Sequence, residues 1–575
     1  MKQYIYLILN ICLSISASLN EAKNYKEIKY KFRKTSFTTD YLKDSFNPEL
    51  KLSQEDSLLD NNIIELESDY IITQISWTRK DNYKYNYLLG VFEGSNDPSF
   101  MDGIPIAIIK EQGNFNEINY IDINSPFSFK YIRYTPPNKN NTSIFPIKIY
   151  VRPKSEIKDE NSENINKGKY FQVTNLPLVS IHTENSTEPE RDGDINCTIT
   201  IINEGKIENS ENASIKVRGR TTGLIPPKKP YRIKFSTKQK IFNFKGKEKK
   251  WTLIANHFDR SLLRNTLAFK ISELMEFKFT PRCQPVDVIL NGNFRGNYYI
   301  CDKVDTISKN RINITQMEVT DISEPNITGG YLLQIDSYAN FGKSISNFRT
   351  NRGIVGEIVI PEEDEITPEQ ATYIKDKLNQ FENEIYDGIL NSIDLESYSK
   401  YFLIEEFCGD PDHTWSSFYF TKDRDDDRFQ FGPVWDFDLS FDNDERLIPT
   451  NAKTEFCFNY CDSAGTTRDF LKTLIGNKII MTYIKNTWEE LCENTLNENV
   501  LIDFLEEKRV YIKESAELNF LKWDNFESDK DSPWHIDFGR KGENFEVSVE
   551  VVKDYVRNRF KSLTNLINNA ISLLE

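Results

Sequence analysis

The sequence predicts an α+β chain, in which a small all-β sandwich domain precedes a larger mixed domain with strands first and helices last. Three observations carry that expectation. Between residues 63 and 152 the segments IITQISW, NYLLGVFEG, IPIAIIK, FKYIRYTP and FPIKIYV are separated by Gly, Pro, Asn and Asp turns, the spacing of a β-sandwich. Past residue 170, ASIKVRG and YRIKF alternate apolar and polar side chains as half-buried strands do. Past residue 367 the apolar residues recur at helical spacing instead. A chain of 575 residues also exceeds one ordinary core, so more than one domain is expected.

Residues 1 to 18 read as a secretory signal peptide: Lys2 precedes the apolar run YIYLILNICLSISA, and Ser16, Ala17 and Ser18 form a small-residue cleavage site. Residues 19 to 62 are polar with scattered apolar positions and receive no assignment. Within the sandwich of 63 to 152, VFEGSNDPSF and FKYIRYTPP resemble the discoidin-like, galactose-binding β-sandwich family. That resemblance implies either a cell-surface glycan ligand or a purely structural module. Residues 153 to 169, PKSEIKDENSENINKGK, carry almost no large apolar side chain and read as a linker. In the domain from 170 to 575, VDVILNGNFRGNYYI reads as paired strands around Asn291-Gly292, and SLLRNTLAFKISELM as a helix with Leu263, Leu267, Ile271 and Leu274 on one face. A further helix is signalled by Thr367 as N-cap, Pro368 in the first turn and Gln370 for a capping box, with Ile374, Leu378, Phe381 and Ile385 along one face and Gly388 at its end. The C-terminal helix runs through Val552, Val556, Phe560, Leu563, Ile567 and Leu574.

A formal net charge of -16 argues against nucleic acid as a partner, since phosphate contacts need dense Lys and Arg. No run after the signal approaches the ~20 apolar residues of a membrane span. The sequons at Asn140, Asn141, Asn185, Asn196, Asn212, Asn313 and Asn326 fit a glycosylated surface, and with the signal they place the protein in the secretory lumen or outside the cell. Cys12 leaves with the signal, and the odd number of cysteines that remain requires an unpaired thiol, with local disulfides expected among the others. Cys457 and Cys461 do not make a CxxC motif, and the four histidines lack zinc-ligand spacing.

The stretch GPVWDFDLSFDN, 432 to 443, sets Asp436, Asp438 and Asp442 among Trp435, Phe437, Leu439 and Phe441. As a strand it would put the aromatic residues on one face and Asp436 and Asp438 on the other, where they could hold a cation. The alternative for Asp436 is a buried, hydrogen-bonded structural carboxylate. Upstream, EEFCGDPDHTWSSFYFTKD (405 to 423) offers Asp412 in a loop behind a helix ending near Phe407. The run DRDDDR (423 to 428) reads as a solvated turn, because consecutive charges cannot all face one ion.

The segments VRGRTTGLIPPKKPYRIKF, WTLIANHFDRSLLRNTLA, VDVILNGNFRGNYYICDKVD, GGYLLQID and the pair GDPDHTWSSFYF with GPVWDFDLSF resemble, in family order, the spore coat protein H (CotH) kinase family over roughly 171 to 575. The resemblance implies an atypical protein-kinase-like fold that uses ATP with Mg²⁺ or Mn²⁺ to phosphorylate Ser or Thr hydroxyls of a protein substrate. It makes Asp412 the catalytic-loop carboxylate and Asp436 the metal ligand, with Asp438 either joining the metal or supporting its ligand. Lys234, on the polar face of YRIKF, becomes the phosphate-facing cation, with Lys229 as competitor and a solvated face as the alternative. Arg218 and Gly219 open the turn RGRTTG, whose N–H groups could lie over phosphates. Asn256, Asp259, Arg264 and Asn265 match the family pattern, Asp259 also suiting a helix N-cap and Arg264 and Asn265 suiting a brace.

Two positions depart from the family. Ser417 stands where an Asn metal ligand is usual, which weakens one metal site. Asp302 stands where a Glu is usual, which shortens any ion pair with a lysine. These departures keep open a non-catalytic surface or matrix adhesin with a carbohydrate-binding sandwich. A third reading, a glycoside hydrolase using Asp436 and Asp438, is disfavoured because such carboxylates normally come from different elements around a sugar cleft.

Overall fold

The computed structural model describes residues 26–27, 30–33 and 62–575, apart from the internal segments 80–86, 124–126, 138–143, 154–168, 338, 340–343, 445–454, 460–464 and 524–542. Its first part is an all-β unit of β1 (Lys26–Glu27), β2 (Tyr30–Arg33), β3 (Asn62–Arg79), β4 (Val91–Ser95), β5 (Ile104–Ile108), β6 (Ile118–Asp122), β7 (Ser128–Thr135) and β8 (Ile144–Pro153). They join in the order β1-β8-β3-β7-β4-β5, with β2 and β6 also paired to β3. The long β3 pairs with β2 and β7 through its first half and with β6 and β8 through its second, and its register is interrupted between Glu65 and Tyr70. Both halves can therefore feed one core, in which Ile64, Ile72, Ile75 and Trp77 meet Phe92, Ile132 and Ile149. Residues 19 to 62, left unassigned from sequence, supply β1 and β2. The expected signal peptide, 1 to 18, and 154 to 168 of the expected linker lie outside the described residues.

The second part is a closed barrel of β9 (Leu178–Thr183), β10 (Ile195–Asn203), β11 (Lys206–Val217), β12 (Tyr231–Gln239), β13 (Glu248–Ile254), β14 (Cys283–Leu290) and β15 (Asn293–Asp302), closed by parallel pairing of β14 with β9. Alternation decides its inside: Tyr231, Ile233 and Phe235 of β12 enter the barrel core, while Arg232 and Lys234 point outward. Asn291 (φ 51) and Gly292 (φ 75) make the expected tight turn between β14 and β15. The all-β unit is docked on this barrel. Leu89, Val91 and Ile108 pack with Leu178, Ile202, Ile289 and Phe294, and the fully buried Glu93 meets His182 Nε2 at 2.8 Å and Arg133 Nη2 at 2.6 Å.

Helices and one further sheet complete the chain. β16 (Tyr331–Ile335), β17 (Asn347–Arg349), β18 (Val355–Ile360), β19 (Phe418–Lys422) and β20 (Gln430–Phe431) align as β17-β18-β16-β19-β20. After the one-turn α1 (Thr221–Leu224) and α2 (Arg264–Leu274) come α3 (Pro368–Tyr386), α4 (Leu395–Cys408), α5 (Gly465–Ile475), α6 (Lys478–Asn494), α7 (Glu498–Lys522) and α8 (Phe545–Leu574). α3 starts as its sequence dictates, with Thr367 accepting from Gln370 N and Gln370 answering as a capping box, and it buries Ile374, Leu378, Phe381 and Ile385. α7 returns to both β units: Ser515 Oγ donates to Asp287 of β14 at 2.6 Å, and Lys110 pairs with Glu514 at 2.7 Å. Sheets thus dominate the first part of the chain and helices the second. Among the described residues no helix is long and apolar enough to cross a membrane.

Candidate active site

β20 stops at Phe431 because Gly432 takes φ 111 and Pro433 has no N–H to offer a neighbouring strand. The stretch 432 to 443 is therefore a loop, which corrects the expected strand. Asp436 (φ 77), Phe441 (φ 53) and Asp442 (φ 66) are left-handed, so the side chains do not alternate. Asp436 and Asp438 do not share a face: Asp436 is exposed, whereas Asp438 is buried at 7% exposure. Each left-handed residue other than glycine costs about 1 to 2 kcal/mol, and such conformations persist where surrounding contacts enforce them.

The enforcing contacts come from the motif W-x-L-x-A-N-x-x-D-x-S-x-x-R-N. Asn265 Oδ1 accepts from Phe437 N at 2.8 Å, one residue past Asp436, while its Nδ2 donates to Asn256 Oδ1 at 3.1 Å. Arg264 Nε donates to Ser440 O at 3.0 Å, and its Nη1 pairs with Asp259 at 2.5 Å. Asp259 also accepts from Arg264 N (2.8 Å) and Ser261 N (2.9 Å), so it ties down the start of α2 although Leu263 is the residue before the helix. Asn443 Nδ2 donates to Phe258 O at 2.9 Å and to Asp438 O at 2.7 Å. One residue bridges this loop to the Asp412 loop: Asp410, buried at 3% exposure, accepts from Asp412 N and from Ser440 Oγ, each at 3.3 Å. Asp410 escaped the sequence reading, although its D-x-D spacing to Asp412 was visible.

From the barrel side comes Arg218, whose guanidinium lies over the Trp435 ring at 5.3 Å. Gly219 (φ 84) turns the chain there, and a Cβ on it would strike Thr222 Oγ1. Ser417 Oγ donates to Asp436 Oδ2 at 3.3 Å from a residue that is itself left-handed at φ 60. The structure thus brings together Arg218, Gly219, Ser417 and Asp436, with Asp438 and Asp412 behind them. It does not bring Lys234 to this group. Lys234 is exposed and pairs across to Ser214 and Lys250, three residues along β12 from Tyr231, the partner of Val217; that is about 10 Å down the strand from the level of Val217 and farther from that of Arg218. Lys229 is engaged with Leu224 O at 3.0 Å, and the neighbouring Lys228 is buried against Ala255 O at 2.7 Å.

Electrostatically the cleft is short of positive charge. Confinement among protein atoms pushes the Asp436 carboxyl above its ordinary value even though solvent reaches it, and Arg218 and the Ser417 hydrogen bond only partly offset this. Asp438 is pushed up further, by burial first and then by Asp436, Asp259 and Asp412. A bound cation relieves such crowding, and carboxylate and hydroxyl oxygens suit a hard divalent ion. Among the described residues no three acidic, His or Cys side chains form a protein-only cage. Mg²⁺ shared between one or two carboxylates and substrate phosphates needs no such cage, so these residues fit that mode of binding.

Two expectations are corrected. Asp302 pairs with no lysine; it is fully buried between Arg282 (Nε, 2.6 Å) and Arg311 (Nε, 2.7 Å). No disulfide joins any two of Cys197, Cys283, Cys301, Cys408, Cys457 and Cys492, so the expected local disulfides do not form among the described cysteines; Cys461 lies outside the described residues.

The fold and site define an α+β protein in which an arginine-bearing barrel turn faces an acidic loop of the helical part. The CotH kinase protein family model matches residues 215–563, more than half of the chain, and the chain belongs to that family. The match includes every residue of the site just described. No curated protein matches the chain. Among solved structures, CBM62 from Clostridium thermocellum Xyl5A matches at 24% identity, covering 16% of this chain and 70% of its own, with a TM-score of 0.15.

Proposed function

We propose that the chain is an atypical, kinase-like phosphotransferase that moves the γ-phosphate of ATP to a Ser or Thr hydroxyl of a protein substrate. The observation that carries this reading is the convergence of Arg218 from the barrel turn and Asp436 from the braced loop, with Asp412 tied to the same loop through Asp410 and Ser440. In this reading Arg218 faces the phosphates and stabilises their charge as the bond to the leaving oxygen breaks. Asp412 orients the acceptor hydroxyl and takes its proton as the new O–P bond forms, leaving ADP. Asp436, with Asp438 or Ser417, would hold the divalent ion, Mg²⁺ or Mn²⁺, which supplies charge neutralisation at the β- and γ-phosphates. Asn265 and Arg264 position Asp436 and do not touch the reacting atoms. A secretory or extracellular setting is proposed from residues 1 to 18 and the sequons.

The two carboxylates have separable roles. Asp436→Ala should abolish the thermal shift produced by Mg-ATP while the fold persists, because Trp435 and Phe437 still pack. Asp412→Ala should keep the shift and lose transfer. Equal loss of nucleotide binding in both variants would refute the assignment.

A further inference from the structure

The hairpin between β12 and β13 has a charge unlike the rest of the chain. Seven of the seventeen residues from 234 to 250 are lysines, in a protein of net charge -16. Lys234, Lys238, Lys240, Lys245, Lys247 and Lys249 are exposed, and among the described residues none of them forms an ion pair; only Lys250 does, with Glu362. The single acid of the hairpin, Glu248, is buried and accepts from Ser308 Oγ at 2.6 Å, so it does not neutralise the surface. On the adjoining hairpin Glu208 accepts from Phe242 N at 3.2 Å. The exposed Lys309 extends the basic side, since Gly246 packs against Asn310 next to it.

We propose that this hairpin docks an acidic segment of the protein acceptor, a role that rests on the phosphotransferase reading. The hairpin's own aromatic residues decide against a lipid or nucleic-acid surface. Phe242 and Phe244 turn inward, edge to face at 5.8 Å, with Phe244 stacked on Trp251 at 5.7 Å and covered by Arg282 at 5.2 Å. No ring is left to wedge into a bilayer or stack on a base. The position of the hairpin suits a substrate that spans it and the cleft. Its Lys250 end lies beside Glu362, Lys303 and Asp305, and because the register slips so that Gln239 pairs with Glu248, two residues from Lys250, the Lys240 end lies about 10 Å away. An extended peptide covers that distance in about three residues. The crowded carboxylates Asp412, Asp436 and Asp438 disfavour acidic side chains next to the acceptor hydroxyl, so the acidic stretch belongs several residues away from it.

The test uses the full chain and a fluorescein-labelled peptide carrying one Ser, a neutral spacer of about eight residues and a run of Glu. Anisotropy should show binding that weakens with added NaCl, and K240E/K245E/K247E should weaken it by about tenfold or more. In steady-state transfer the same variant should raise KM for this peptide and leave kcat unchanged, and its thermal shift by Mg-ATP should match the wild type. If the charge reversals impair folding, Lys→Gln at the three positions should still weaken binding several-fold. Undiminished peptide binding in a folded variant would overturn the proposal, as would a hairpin-dependent preference for phosphatidylserine vesicles or single-stranded DNA over the peptide. Hairpin-dependent peptide binding in a protein that shows no Mg-ATP shift would instead refute the phosphotransferase reading and leave the docking surface standing.

Discussion

Ser417 offers a way to separate backbone strain from metal chemistry at one position. It is left-handed at φ 60, 9% exposed, and 3.3 Å from Asp436 Oδ2. An ordinary L-residue pays about 1 to 2 kcal/mol for that conformation; Asn tolerates it better, and Gly does not pay it but loses about 0.5 to 1 kcal/mol of backbone entropy on folding. Ser417→Asn should therefore stabilise the fold by about 0.5 to 1 kcal/mol, and its side-chain carbonyl should lower the divalent-metal concentration needed for nucleotide binding several-fold. Ser417→Gly escapes the strain but also loses the hydroxyl donor to Asp436, so it should stay within about 1 kcal/mol of wild-type stability and raise the metal requirement. Ser417→Ala keeps the strain and loses the hydroxyl donor to Asp436, so it should cost about 1 kcal/mol and raise the metal requirement. Urea unfolding gives the stabilities, and Mn²⁺ and Mg²⁺ titrations of ATP binding give the metal dependence. A glycine variant that lowers the metal requirement as far as asparagine does would refute the ligand argument, and a destabilising Ser417→Asn would refute the strain argument.

Burial alone would push the Glu93 carboxyl up, but Arg133 and His182 overcompensate and hold it at about 2 against an ordinary 4.5. Its contribution, about 3 kcal/mol, is present above pH ~4.5 and lost as pH falls toward ~2, so Glu93→Gln should destabilise at pH 7 with a penalty that fades over that acid window in urea unfolding. Glu405 behaves in the opposite sense: burial raises it to about 8 from 4.5, so the folded state keeps a proton that the unfolded chain has lost. Wild-type stability should fall as pH rises from ~4.5 to ~8, and Glu405→Gln should gain on the wild type across that window. Arg264→Met leaves Asp259 buried and unpaired; it should cost about 3 to 5 kcal/mol in urea unfolding and, by freeing Ser440 O, weaken the thermal shift by Mg-ATP.

Local patterns carried much of the fold. Capping at Thr367, the Asn291-Gly292 turn and the alternation of YRIKF needed only neighbouring residues, and the structure shows each of them. The acidic loop was misread because period-two alternation of Trp435, Phe437 and Leu439 looks like a strand unless Gly432-Pro433 is taken as a stop. Arg218 and Asp436 were named from sequence, but their approach joins residues more than two hundred positions apart, which no local pattern reports. The family resemblance points to Lys234 on the polar face of β12, but alternation fixes which face a residue occupies, not its level along the barrel. Asp410 and Glu405 hid beside the more conspicuous Asp412: two buried acids without a basic residue nearby in sequence give no sign of being held inside.

Transfer of the γ-phosphate itself tests the central claim most directly. Purified protein would be incubated with γ-labelled ATP, Mn²⁺ or Mg²⁺ and an acceptor protein, beside the Asp412→Ala and Asp436→Ala variants, with the labelled positions mapped by mass spectrometry. The account predicts metal-dependent label on Ser or Thr with the wild type and none above background with either variant. Absence of label from the wild type at millimolar metal, or label of equal intensity with Asp412→Ala, would contradict it.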